Sequence, residues 1–500
     1  MLISCAIRTT CHRSQLIRHA STLLRSQAYI DGQWVDASKG AKFPVHNPST
    51  NEEIAKVADC TSEDVDKAVK AASTAFETFS QTSAKERSAL LRKLFDLHNE
   101  HQKELAEIMT LENGKPLREA IGEIVYGASF LEWFSEEARR VYGDIIPANT
   151  TDREILAIKQ PIGVAAIITP WNFPNAMITR KIGAALAVGC TCVIKPAEDT
   201  PLSALAIADL AEKAGYPRGV INVLPASREN TPQVGSGLAN HPDVHALSFT
   251  GSTQVGKLLL KQSASSVKKV SLELGGNAPF IVFDSADVDR AVVGLMGAKF
   301  RNTGQTCVSA NRIFVQSKIY DAFIDKLKDA MRAQLHVGDG FKDASTCGPL
   351  INKRAVEKVS QHLQDIRSKG GRIVLEGSIK GNFVDPILAA DVTSEMLVCS
   401  EETFGPLVAV IRFDTEEEVL KVANSTDYGL AGYFFSRDVS QIFRVSKKLQ
   451  AGMIGVNEGL ISTAQAPFGG IKQSGIGREG SKYGVDEYTE IKYICLGGLA

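Results

Sequence analysis

From residue 155 onward the sequence keeps changing its hydrophobic period. β-rich runs such as "ILAIKQPIGVAAII", "CVIKP", "INVLP", "ALSFT" and "KKVSLELGG" alternate with helical stretches, "AMITRKIGAALAVG" closing at Gly189 and "SALAIADLAEKAG" closing at Gly215. Strands separated by whole helices join in parallel, with helices on both faces of the sheet. A second α/β series begins near Asp287 with "DVDRAVVGLMGAKF", "IFVQ" and "IYDAFIDKLKDAMRAQL", and ends in "LVAVIRFDTEEEVLKVANS", where Thr415 and Glu418 form a capping box. Two such series in 500 residues exceed what one core supports, so two or three domains are expected.

Ahead of this region, Thr61 and Asp64 cap an amphipathic helix, and a long helical stretch runs from Ser83 to the turn at Asn113-Gly114. The first thirty residues differ from the rest. Arg8, Arg13, Arg18 and Arg25 occur with no acidic residue before Asp31, and Leu16, Ala20, Leu23 and Leu24 share a helical face. An Arg- and Ser-rich, acid-free leader reads as a mitochondrial transit peptide, the alternative being a disordered tail. At the other end "YTEIKYICLGG" is a strand with no neighbour nearby in sequence, a kind that often pairs across a subunit boundary.

The formal net charge of -1 gives no reason to expect nucleic acid or an acidic membrane as partner. Nine scattered cysteines without a CxxC pair suggest a reducing compartment and neither a disulfide framework nor a metal site.

Several segments hold residues able to do chemistry, each with a bland alternative. In "FRNTGQTCVSANR" Cys307 sits among small polar residues, six positions after Arg301; it is either a packing thiol or a nucleophile in a loop. "VSLELGGNAP" puts Glu273 on the strand face opposite its leucines, either exposed or an apolar-flanked base. "ITPWNFPNAMITRK" offers Asn172 in a turn, able to donate to an oxyanion, and then Arg180. No GxGxxG follows a strand, and "GSGLAN" lacks the third glycine. However, "SFTGSTQVGK" ends a strand with small residues that open a helix, a shape that can hold a pyrophosphate. "VIKPAEDTP" adds Lys195 and Glu198 at a neighbouring strand end, where a carboxylate accepts from ribose hydroxyls and repels a 2′-phosphate.

Taken together, "TPWNFP", "KPAEDTP", "FTGS", "LELGGNAP", "GQTC", "EETFGP" and "PFGGIKQSGIGREG" resemble the NAD(P)-dependent aldehyde dehydrogenase superfamily from about residue 28 to the end. "KFRNTGQTC", "NEGLIS" and "SGIGREGSKYG" are similar to its branch acting on succinate semialdehyde. The resemblance implies an α/β aldehyde dehydrogenase-like fold. Residues 1–27 would be the leader, 28–145 and 161–277 a Rossmann-type cofactor domain, 278–475 an α/β catalytic domain, and 146–160 and 484–500 oligomerisation strands. It implies Cys307 as nucleophile, Glu273 as general base and Asn172 as oxyanion donor. NAD would be held by Lys195, Pro196, Ala197 and Glu198, by Gly251, Ser252, Thr253, Gln254, Val255 and Gly256, and by Glu402 and Phe404. Arg180, Arg301 and Ser462 would grip the substrate's distal carboxylate, with no metal. A homotetramer in the mitochondrial matrix would oxidise succinate semialdehyde to succinate through a thioester, the last step of 4-aminobutyrate (GABA) degradation. Glutarate semialdehyde or broad aliphatic aldehydes are the alternative substrates, and a catalytically silent protein on the same fold is the alternative class. Some relatives carry a second cysteine two residues after the nucleophile. Here that position is Ser309, so no disulfide switch is inferred.

Overall fold

The register of the parallel strands decides where every other element can sit. In the computed structural model, which describes residues 21–498, Ile221–Val223, Thr191–Lys195, Val164–Ile168, Val244–Thr250 and Lys269–Glu273 lie side by side in that order, all parallel. Gln33–Val35 and Ala28–Ile30 extend one edge antiparallel, and Gly475–Ile476 closes the other. Ile168 pairs with both Lys195 and Phe249, and Thr250 pairs with Glu273, so four strands stop at nearly one level. The loops leaving those ends form a single rim, the usual ligand side of such a sheet.

Val164–Ile168 and Thr191–Lys195 are buried at every position, as strands covered on both faces must be. One face packs against Leu91, Leu105, Ile124, Ile182 and Leu205 from five helices. The other meets Val65, Val69, Leu238 and Leu259. "GSGLAN" lies inside the helix Thr231–Asn240 and forms no strand-to-helix turn. The helical stretch expected from Ser83 to Asn113 is broken at His101 into Ala84–Glu100 and Gln102–Asn113. Tertiary packing accounts for the break, because Leu91 and Leu94 on one piece and Leu105, Ile108 and Leu111 on the other are all driven into the same core.

The second series forms a seven-stranded sheet in the order Arg372–Leu375, Ile387–Ala390, Leu407–Phe413, Ala310–Gln316, Ala278–Val282, Ala431–Phe435 and Met453–Val456, parallel except for its first pair. Ala278 pairs with Ala310, so the chain enters this sheet just after Glu273 and just after Cys307. One rim of the second sheet therefore faces the ligand rim of the first. Among the described residues no helix is long and apolar enough to cross a membrane.

One expectation changes. The C-terminal strand Thr489–Gly497 is not without a partner in its own chain. It pairs antiparallel with Arg153–Pro161 over nine positions, and Asp144–Ile146 completes a three-stranded sheet. Separation in sequence hid a pairing set by the tertiary fold. Of the leader expected over residues 1–27, residues 1–20 lie outside the described residues, and from Ser21 the chain packs against the folded body. Leu23 is fully buried, its N–H donates to Glu104 at 3.0 Å, and Arg25 donates to Asp209 at 2.7 Å. A chain starting at Ala28 should accordingly be less stable by about 2–4 kcal/mol than one starting at Ser21, the cost of a buried Leu and its polar neighbours. Differential scanning calorimetry of the two proteins checks this, and equal melting temperatures would refute it.

Candidate active site

The helix Val288–Phe300 ends, and the chain turns left-handed before it reaches Cys307. Asn302 has φ 49° and ψ 40°, Thr303 φ 56° and ψ 32°, and Gly304 φ 81°. A β-branched residue in this region is costly, on the order of 1–2 kcal/mol, and it persists only when its surroundings fix it. Here they do. The Asn302 N–H donates to Glu119 at 2.8 Å, its Nδ2 to the Asn172 carbonyl at 2.9 Å, and Thr303 Oγ1 to Gly348 O at 3.1 Å. Gln305 accepts from Ile351 N–H at 2.9 Å, and Thr306 Oγ1 donates to Arg301 O at 3.1 Å. A Cβ on Gly304 would sit 2.4 Å from Gly405 O, and one on Gly276 would sit 2.5 Å from Cys307 O. The thiol loop is thus clamped between the turn after Glu273 and the turn holding Phe404, itself at φ 55°.

A cavity of about 230 Å³ opens there, lined by Asn172, Gly251, Ser252, Glu273, Cys307, Glu402 and Phe404 among others. Asn172 Nδ2 spends one hydrogen on Gln305 O at 3.1 Å, and the same amide has a second to give. Its turn is pinned from behind: buried Lys115 donates to Asn172 O at 2.7 Å and pairs with buried Glu123, which accepts from Asn175 and Ala176 N–H at 3.0 and 3.2 Å.

Burial pushes the Cys307 thiol well above its usual range, and the neighbouring Glu273 carboxylate pushes it further. Burial also raises Glu273, while Arg180 opposes the rise. The Arg180 Nη2 stands 3.3 Å from Glu273 Oε2. Its Nε forms an ion pair with Glu479, which Lys181 also holds, and its face lies 4.3 Å from the Phe468 ring centre. Glu479 is held below the ordinary carboxylate range by Arg180 and Lys181 despite its burial. The guanidinium therefore belongs first to Glu479, and Glu273 is its weaker partner.

On the other side of the rim, Lys195, Pro196 and Ala197 are buried, while Glu198 is part-exposed 3.8 Å from Lys195 Nζ. Glu198 does not line the Cys307 cavity. It faces a larger cleft of about 910 Å³ together with Asp199 and Glu112. Ser252 caps the helix Thr253–Ser263, and Gln254 and Val255 are exposed in its first turn. A Cβ on Gly251 would strike the Phe249 ring at 2.5 Å, and one on Gly256 would strike Leu274 at 2.4 Å, so the backbone alone fills this cradle. Exposed helix N–H groups beside a part-exposed ribose-type carboxylate fit a dinucleotide. Burial pushes Glu402 up to about 8, although Gly276 N–H donates to it at 3.3 Å.

Arg301 has no carboxylate partner among the described residues. Its guanidinium lies 4.7 Å from the Phe173 ring centre and 5.5 Å from that of Tyr126. Ser462 is half-buried, and its hydroxyl makes no hydrogen bond to another described residue. Its loop presses on the helix leading to Arg301, where a Cβ on Gly459 would lie 2.0 Å from Gly294 O. Sequence reasoning passed over Lys115, Glu123, Lys181, Glu479 and the buried, unpartnered Tyr126 hydroxyl. A signal existed for two of them: adjacent cations in the otherwise apolar "AMITRKIGAALAV" demand a counter-charge.

The sequence pattern of the aldehyde dehydrogenase family matches residues 34–494. The chain is 57% identical to the mitochondrial succinate-semialdehyde dehydrogenase of Homo sapiens over 98% of its length and 92% of that protein. It is 54% identical to the glutarate-semialdehyde dehydrogenase of Pseudomonas aeruginosa over 95% of this chain and 99% of that one. The crystal structure of an NADP-dependent enzyme of E. coli superposes with a TM-score of 0.94 at 53% identity, covering 95% of this chain and 99% of that one.

The electrostatics predict how the free protein reacts with iodoacetamide. Alkylation at Cys307, read by peptide mass spectrometry, should keep rising with pH beyond 9, above the ordinary thiol range of about 8.5. Glu273→Gln removes the adjacent negative charge and should move the profile to lower pH. An unmoved profile would mean that the two groups do not sense each other.

Proposed function

This chain belongs to the aldehyde dehydrogenase family, and from that premise we propose that it oxidises succinate semialdehyde to succinate with NAD⁺, closing 4-aminobutyrate (GABA) breakdown. One observation carries the substrate reading. Arg301 holds a guanidinium with no carboxylate partner among the described residues, stacked on Phe173 next to Asn172. A half-buried cation with no carboxylate at ion-pair distance, Glu119 acting on it only from farther off, suits a substrate with a carboxylate at its far end, and Arg meets that group with a two-pronged fork. Arg180 Nη1, buried without a hydrogen-bond partner, and the unengaged Ser462 hydroxyl complete the set.

In this reading the Cys307 thiol first passes its proton by way of Glu273 to solvent, the thiolate sulfur adds to the aldehyde carbon, and the oxyanion accepts from the second Asn172 amide hydrogen and the Cys307 N–H. Such a donor is typically worth about 3–4 kcal/mol. NAD⁺ bound in this site would supply the acceptor for the hydride lost by that carbon. Glu273 then removes a proton from water, whose oxygen attacks the thioester, and the thiolate leaves with succinate released. The strained Asn302–Gly304 turn, the Lys115–Glu123 pair and the Phe404 turn hold these groups against a common cavity.

We assign NAD over NADP because Glu198, part-exposed just after the strand Thr191–Lys195, is a carboxylate that would accept from ribose hydroxyls and repel a 2′-phosphate. The E. coli structural relative is named NADP-dependent, so this is the finer point to test. Oligomerisation through the three-stranded sheet is inferred from its uncovered apolar side chains, Ile145 at 81%, Ile491 at 72% and Tyr493 at 63% exposure. A homotetramer of paired dimers is the assembly we assign. We assign it to the mitochondrial matrix, a reading supported by the Arg-rich start of the chain and by its similarity to mitochondrial relatives. The Pseudomonas relative favours one second reading, glutarate semialdehyde, one methylene longer.

Steady-state kinetics test both choices. kcat/KM should be highest for succinate semialdehyde among succinate semialdehyde, glutarate semialdehyde, butanal and hexanal, and a better rate with hexanal would refute the reading. Arg301→Gln should cost about 1.5–3 kcal/mol, roughly ten- to a hundredfold in kcat/KM, for the semialdehydes and little for butanal. Glu198→Gln should narrow the preference for NAD over NADP; a parent already faster with NADP would overturn the assignment.

A further inference from the structure

Arg180 is the one described residue whose side chain is within ion-pair distance of Glu273, and it touches that carboxylate with only part of its guanidinium. Nη2 faces Glu273 at 3.3 Å and Met177 Sδ at 3.2 Å, Nε is paired with Glu479, and Nη1 is buried with no hydrogen-bond partner. Glu273 Oε1 is likewise buried and unpartnered. An arginine this enclosed cannot swing away, but it can be shared among anions. A buried donor left open is costly unless something arrives to use it.

We propose that Arg180 couples recognition of the acyl group to its release: the distal carboxylate of the bound acyl group takes the free Nη1, and the guanidinium thereby relaxes its hold on Glu273. This rests on the reading above that the substrate carries such a carboxylate. Before substrate arrives, the positive field of Arg180 opposes the rise that burial gives Glu273 and makes it a weaker base than burial alone would. The substrate carboxylate, a third anion on a guanidinium that already meets Glu479 and Glu273, offsets that field further and adds its own negative charge, so Glu273 binds a proton more tightly. The proton in question is the one lost by the water that attacks the thioester. A stronger base removes it faster, so hydrolysis speeds up for the acyl group that fills the far end of the site.

The other charges facing Glu273 are accounted for. Lys181, on the same helix as Arg180, and Glu479, from the late segment, are paired to each other as well as to this cluster. Cys307 on its loop is held in the thioester at this stage, and Glu402 on the turn opposite does not contact the acyl chain's far end in this scheme. None of these carries the free donor that Arg180 has.

The test needs no variant that risks misfolding. The unaltered protein is acylated in single turnovers with NAD⁺ and either succinate semialdehyde or butanal, which has a methyl group in place of the carboxylate. Decay of the acyl-enzyme is followed by acid quench and intact-protein mass spectrometry from pH 5 to 9. The succinyl form should show a hydrolysis midpoint about one pH unit higher than the butanoyl form, within the range expected for a charge a few ångströms away, and a faster plateau. Identical midpoints and plateaus with active succinate semialdehyde turnover would overturn the coupling and leave the proposed function standing. No turnover of succinate semialdehyde at all would overturn both. In Arg301→Gln at saturating substrate the difference in midpoint should persist, because it runs through Arg180; its disappearance would also overturn the inference.

Discussion

Three successive residues wound left-handed, Asn302 to Gly304, set the geometry from which the rest of the site follows. A helix ending in ordinary fashion would carry the chain past the rim of the first sheet. The left-handed turn instead folds it back, so that Cys307 O lies against Gly276 and the thiol opens toward Glu273. Such a turn has to be imposed from outside, and its constraints come from three separate parts of the chain: Glu119, Asn172, and the segment holding Gly348 and Ile351. Both sheets must be assembled before the turn is stable. The strain is therefore a way of making the reactive loop depend on the completed fold, with tension held at the chemistry and relieved by contacts around it.

Buried charge is organised around the same place. Lys115 with Glu123, and Arg180 and Lys181 with Glu479, are ion pairs almost wholly removed from water. Such pairs add little net stability against apolar residues of equal size, yet losing one partner is severe. Their position explains them better than any stability argument. One pair fixes the carbonyl of Asn172, and the other positions the guanidinium that meets Glu273. They act as rigid, directional struts where apolar packing would allow rotation.

The doubly covered parallel sheet was legible in the sequence, because alternation of β-rich runs with Gly-closed helices leaves few other topologies. Glu273 and Asn172 could be singled out because each follows a β-rich run, and the parallel register carries such ends to one rim; Cys307 stood out as a lone thiol among small polar residues, and Glu402 only through the family resemblance. Two things could not be read. The pairing of Thr489–Gly497 with Arg153–Pro161 joins segments with no pattern in common, and only closure of the tertiary fold brings them together. The counter-charge of Arg180 lies in a glycine-rich segment near residue 479, and no period links that segment to the helix it serves. Thr303 in a left-handed conformation contradicts its own preference, so local reasoning would place it elsewhere.

That late carboxylate has a consequence for how the molecule is made. During synthesis, which proceeds from the amino end, Arg180 and Lys181 leave the ribosome some three hundred residues before Glu479. Sealing the first sheet around them in the interval would bury two cations with only the more weakly placed Glu273 to face them. The nascent polypeptide is thereby kept from closing early, and the last segment to emerge acts as the bolt that lets the first half shut.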